Sequence, residues 1–226
     1  MTGRRLGNLD VLQLVGALLA AQFVFACAVK VLHGVSWQLL WFCHVSLAFA
    51  AVGCFTRSKL LKSTALTNVL VLHSLWIIDF VVGYTTGTFP FTFSAYIRDV
   101  DIWSWLASLH HLYLLPLLLW SFWRERDYPR EAWLVSATLF VLVMLASRSL
   151  LSPAQNVNYA YFIPESLQIC GISTLNRLPG DLYLLGLHAI ANLVAFLPAA
   201  LALHVVARRL QRRGNVPTAN ASSGVL

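Results

Sequence analysis

The chain has 226 residues, of which 58% are hydrophobic and 11% charged, with a formal net charge of +7. A soluble domain carries about 25% charged residues, so an ordinary soluble domain is excluded; the 12% aromatic content excludes a disordered chain, and four cysteines are too few for a disulfide scaffold. A mean hydropathy of +0.70 leaves a polytopic membrane protein.

A bilayer core about 30 Å thick takes roughly 20 apolar helical residues. Six such stretches are predicted, at 11–29, 36–55, 64–84, 102–123, 132–149 and 182–207. The first holds Gln13 and Gln22 and reads as a packing or lipid-facing helix. It is not a signal peptide, since five more stretches follow. Val24-Phe25-Ala26-Cys27 is a poor lipoprotein box because of Phe25. The second stretch contains Cys43 and His44, and the third Asn68, His73 and Asp79. Between the third and fourth lies a segment dense in Thr and aromatics, about Gly83–Asp101. The fourth contains Ser104, Ser108, His110, His111 and Pro116. The fifth is the shortest and ends near Arg148. A longer segment, about Leu150–Asp181, carries Pro153, Asn156, Asn158, Tyr159, Tyr161 and Pro164. Both aromatic segments suit the membrane interface or a lid over the bundle. The sixth stretch holds His188, Asn192 and Pro198. Residues 1–213 form one transmembrane domain, and the polar stretch 214–226 reads as a disordered cytoplasmic tail. No stretch shows strand-like alternation, so the expected fold is an all-α bundle of six transmembrane helices.

Charge sets the expected orientation. Of the 16 basic residues, 12 fall in one set of alternate segments, including Arg57, Lys59, Lys62, Arg124 and the Arg208–Arg213 cluster. The other set holds only Lys30, Arg98, Arg148 and Arg177. The positive-inside rule therefore places both termini in the cytoplasm. The surplus charge is a topological signal rather than a nucleic-acid one. The Arg208–Arg213 cluster is suited to anionic lipid headgroups.

Ionisable side chains inside spans are costly and often functional. His44, His111 and His188 lie roughly 9–14 Å below the outer boundary, Asp79 about 8 Å and His73 about 16 Å, at 1.5 Å per residue. Four helices thus place His or Asp in one slab. Helical phase puts Asp101, Ser104, Ser108 and His111 on one face, and Asp181, His188 and Asn192 on another. Spans two, three, four and six are expected to enclose a polar, outward-facing pocket. Asp79, His111, His188 and Ser108 are its candidate catalytic residues. Ser108 and His111 are spaced i, i+3, as a nucleophile and base on one face require.

His44, His73 and His110, with Asp79, His111 and His188, are candidate ligands for a transition metal such as zinc or iron. Bis-His heme ligation across two helices is a further option. Against a metal, no HxxxH or HExxH pair occurs, and His110 and His111 point about 100° apart on an ideal helix. Cys43 beside His44 is a second nucleophile–base pairing that would serve acyl transfer or lipid hydrolysis, although these neighbours also diverge by about 100°. Close helix packing at Ser and interhelical hydrogen bonds from His explain the same residues without chemistry. Cys27 and Cys170 both lie toward the outside, where they can pair under oxidising conditions.

The strings HSLWIIDFVVGYTTG (73–87), LHHLYLLPLLLW (109–120), RDYPREA (126–132), PAQNVNYAYFIP (153–164) and LYLLGLHAIANLVAFLPAAL (182–201) resemble a loose group of uncharacterised bacterial multipass membrane proteins. The similarity covers about the last two-thirds of the chain. It implies a bacterial inner-membrane setting and no particular activity. Small intramembrane lipid hydrolases and acyltransferases share only residue types with this chain, which is analogy alone. The pattern favours a membrane-embedded enzyme acting on a lipid-like substrate. A transporter or proton relay using the same His/Asp groups is the alternative, and a non-catalytic subunit of a membrane complex the third. The lipid bilayer is the one partner implied; protein partners are not indicated.

Overall fold

The computed structural model describes residues 5, 6, 9–167 and 171–214. Cys170 and the stretch 215–226 lie outside them, so the Cys27–Cys170 pairing and the expected disorder of the tail do as well. The fold is helical, apart from a two-residue antiparallel pairing of Arg5–Leu6 with Leu9–Asp10. Eight α-helices follow in order: α1 Val11–Leu32, α2 Phe42–Phe55, α3 Lys59–Thr86, α4 Ile102–Ser108, α5 His110–Glu125, α6 Glu131–Leu150, α7 Gly180–Ile190 and α8 Leu197–Gly214. Counting α4 with α5 and α7 with α8 as continuous units, five helices among the described residues are long and apolar enough to cross a membrane. This is compatible with a multipass membrane protein.

Three of the predicted spans are more complex than single helices. The 36–55 stretch divides into a 3₁₀ turn, Ser36–Leu40, and the 14-residue α2. The separator is Trp41, whose extended backbone starts α2 afresh. The 102–123 stretch is interrupted at Leu109, where 3₁₀ bonds run from Leu109 N–H to Leu106 O and from Leu112 N–H to Leu109 O. The 182–207 stretch begins at Gly180, runs to Gly214 and contains a π-helical turn, Ala191–Phe196. Pro198 has no N–H for the carbonyl four residues before it, which is a physical reason for irregular bonding just ahead of it.

Helix starts follow local chemistry. Asp10 caps α1 in a reciprocal arrangement with Gln13. Ser58 caps α3, which ends on Gly87 in the left-handed region. Asp101 caps α4 through the Trp103 and Ser104 N–H groups. α2 has no cap of its own. Instead Asn158, from the distant 153–164 segment, accepts from Phe42 N–H at 2.8 Å and donates to Leu40 O at 2.7 Å.

α3 is the central element, packed against α2, α5, α6 and the C-terminal helical unit. One buried cluster joins Leu19, Leu47, Leu66, Leu114, Leu118 and Leu203 across α1, α2, α3, α5 and α8. A second gathers Phe42, Phe140, Met144, Ile163, Tyr183 and Phe196. Polar ties between helices supplement this packing. Asn68 donates to Ser46 Oγ at 3.1 Å, and Thr67 meets the Tyr128 hydroxyl at 2.7 Å. At the end of the bundle rich in basic residues, Arg57 pairs with Asp10, Lys59 with Asp127 and the buried Lys62 with Glu125.

Candidate functional site: a histidine cluster inside the bundle

Four histidines from three helices converge in the interior. His44 comes from the first turn of α2, His73 from the middle of α3, and His110 and His111 from the start of α5. Ring centroids are 5.0 Å apart for His44–His110, 4.1 Å for His110–His111, 4.8 Å for His73–His111 and 6.1 Å for His73–His110. All four are buried, His110 completely.

The break at Leu109 orients two of them. Leu112 N–H turns to Leu109 O, and the Ser108 carbonyl accepts from His111 Nδ1 at 2.9 Å. The Ala107 carbonyl accepts from His110 Nδ1 at 3.0 Å. A carbonyl only accepts, so each Nδ1 carries the proton and each Nε2 presents a lone pair. Metal-ligating histidines are typically held in this way, with the other ring nitrogen donating to a carbonyl or carboxylate. Gln22 of α1 braces the same break, its amide donating to Leu106 O and Ala107 O at 3.1 Å each.

Cys43 completes the set. Its Sγ lies 3.6 Å from His44 Nδ1. One ligand atom from each of Cys43, His44 and His110 falls within 4.8 Å of the others. Ligand atoms around one tetrahedral ion stand about 3.3–3.8 Å apart, from metal–nitrogen and metal–sulfur bonds of about 2.0 and 2.3 Å. His110 Nε2 and both ring nitrogens of His73 are buried with no hydrogen-bond partner. Each such group costs about 1–3 kcal/mol when left unpaired, and three of the ten unpartnered buried side-chain polar atoms among the described residues are in this cluster.

The other sequence-derived candidates sit differently. Asp79 is fully buried and committed to the loop after α3. It accepts from Phe91 N–H at 2.6 Å, and from Ser94 N–H and Ser94 Oγ at 2.8 Å each. No hydrogen bond or ion pair joins it to a histidine among the described residues. Next to it, Arg98 lies over the Phe89 ring and donates to Gly83 O and Gly87 O, closing the end of α3. Phe89 occupies the space a side chain at Gly83 would need: a Cβ there would fall 2.2 Å from the ring. His188, on α7, is partly exposed. It pairs with Asn192 one turn on, and its ring lies 6.3 Å from Phe140. Ser108 Oγ donates to Ser104 O, and its contact with His111 is through the main-chain carbonyl. The described histidine cluster is therefore built from spans two, three and four. Its four rings are buried, and neither the cleft beside Trp76 and Leu112 nor the one beside Lys62 and Glu125 is lined by histidine.

At the end of α1, His33 Nδ1 stands 3.2 Å from Ser104 Oγ and 3.6 Å from Asp101. The Ser104 hydroxyl, donating to Asp101 at 2.8 Å, is the main cause that holds this carboxyl below the usual range. Sequence spacing set Cys43 beside His44 only as a nucleophile and base, and gave Gln22 no place near the histidines. The signal for Gln22 was an amide in mid-span. For Cys43 there was only its adjacency to His44, which ideal helical phase argued against.

No protein family, curated protein or solved structure matches the chain.

Proposed function

We propose that the protein is a membrane-embedded metalloprotein whose bundle holds one transition-metal ion at Cys43, His44 and His110, with His73 and His111 alongside. The observation that carries this is the buried imidazole cluster with unpartnered nitrogens, two of its rings already set in the Nε2-ligating tautomer. A thiolate with two imidazoles is a soft set that suits copper or zinc better than magnesium or calcium. The ring contacts of 4.1–6.1 Å leave no slot for a planar macrocycle between them, which favours a bare ion over heme. Such an ion supplies Lewis-acid or one-electron chemistry. The chain's own residues fix its ligand directions and exclude water.

The enzyme version of this function acts on a lipid-like or otherwise apolar substrate, since a buried centre inside the bundle is approached most readily from the bilayer. The setting is a bacterial inner membrane, with six crossings and both termini cytoplasmic. The 14 residues of α2 rise about 21 Å and the preceding 3₁₀ turn about 10 Å. α2 alone is shorter than a bilayer core of about 30 Å, so the proposed sixth crossing takes in the preceding turn as well. A contiguous row of four imidazoles is also what a proton relay would use. Elemental analysis and an absorption spectrum of the purified protein separate the two. The metal centre predicts about one equivalent of copper or zinc, lost at least tenfold in His110→Ala. Metal-free protein that carries protons across liposomes in a His110-dependent way would favour the relay.

A further inference from the structure

Lysine and arginine serve different ends at the basic side of the bundle. Lys59 and Lys62 are held in ion pairs with Asp127 and Glu125. Arg126 and Arg130, in the turn between α5 and α6, and Arg208, Arg209 and Arg212, on the last turns of α8, are all exposed. None of these five enters an ion pair among the described residues. Glu131, in the first turn of α6, is the remaining acid of the two segments. The segments form one surface. Gln211 donates to Arg126 O at 2.8 Å, and the charges of Arg130 and Arg208 both reach His204. Phe122, Tyr128, Leu203 and Ala207, from the same part of the chain, share one buried cluster. At about 100° per residue, Leu201, Val205, Arg208, Arg209 and Arg212 fall within an arc of about 100° on α8. Leu201 and Val205 are exposed, so an aliphatic strip open to lipid runs directly into three guanidinium groups. Like charges gathered on adjoining elements repel, and an anion seated among them removes that cost.

We propose that this surface is a binding site for an anionic phospholipid of the adjoining leaflet. Its phosphate is held between the arginines of the α5–α6 turn and those of α8, and its acyl chains lie along Leu201 and Val205. The site goes beyond one cluster's general attraction for headgroups, because two elements share the ligand, and it does not depend on the metal centre. A charge that only marks the cytoplasmic side needs no particular cation. The planar fork of arginine, unlike the point charge of lysine, grips a phosphate through two parallel N–H donors. Once seated, the lipid pins the end of α8 to the α5–α6 turn.

The test uses delipidated full-length protein in detergent, incubated with equal amounts of phosphatidylglycerol and phosphatidylcholine of matched chains. Native mass spectrometry counts the bound lipid. Wild type is expected to retain phosphatidylglycerol about tenfold over phosphatidylcholine and to melt at a higher temperature in its presence. The triple variant Arg208→Gln, Arg209→Gln, Arg212→Gln is expected to lose both effects. The triple variant Arg208→Lys, Arg209→Lys, Arg212→Lys keeps the charge without the fork, and its retention is expected to fall about threefold. Arg57→Gln removes one charge from the same end but outside the site, and is expected to behave as wild type. The wild-type lipid preference is read without any variant, so a variant that fails to fold leaves a decisive measurement. Equal retention of the two lipids by wild type, or undiminished retention in either triple variant, would overturn the site. Inorganic phosphate that raised the melting temperature as much as phosphatidylglycerol would overturn the lipid as its occupant.

Discussion

Asp79 illustrates how a buried charge is settled by its immediate neighbours. Sequence position placed it in the same slab as the histidines, and the expectation of a partner was sound, because an unpaired buried carboxylate costs several kcal/mol. The partner is the loop after α3, through two backbone N–H groups and the Ser94 side-chain hydroxyl. Loop amides twelve and fifteen residues downstream carry no hydropathy signal, so this use of the residue was not legible in the sequence. Asp79→Asn keeps the shape but replaces one acceptor oxygen with a donor group facing an N–H. It is expected to cost about 1.5–3 kcal/mol. The change should appear as faster hydrogen exchange at the Phe91 and Ser94 amides and a lower unfolding temperature. Metal content should be unaffected, because Asp79 serves the loop and not the cluster.

Among the elements, the two irregular ones build the site. The break at Leu109 turns carbonyls toward His110 and His111, and the fresh start at Trp41 puts Cys43 and His44 together in a first turn. Each of the pairs 110/111 and 43/44 lies within one helix, where neighbours diverge by about 100°, which is why spacing alone argued against both. The residues themselves were legible: His44, His73, His110 and His111 stand out as ionisable groups in apolar spans. Their convergence was not, because it depends on how α2, α3 and α5 pack against one another. Asn158 is the remote control on one of these points, capping α2 from the 153–164 segment. Asn158→Ala leaves Phe42 N–H and Leu40 O without that partner. The expected loss is about 1–3 kcal/mol in stability and about tenfold in metal affinity, the scale seen when an orienting group behind a ligand is removed. Metal titration and thermal unfolding in detergent measure the two effects separately.

For the molecule as a whole, the helical membrane class was legible from composition, and five sufficiently long apolar helices agree with it. The number of crossings turns on the short α2, since an odd count separates the termini and an even count keeps them together. Reporter fusions at the two ends are expected to report the same, cytoplasmic side; opposite sides would mean that α2 does not cross. The account's central claim is the buried Cys/His centre, and X-ray absorption at the metal edge of the copper- or zinc-loaded protein tests it most directly. The predicted spectrum has imidazole nitrogens near about 2.0 Å and one sulfur near about 2.3 Å, the sulfur vanishing in Cys43→Ser and imidazole scattering falling in His110→Ala. A metal held by oxygen ligands alone, or a spectrum unchanged by both substitutions, would contradict it.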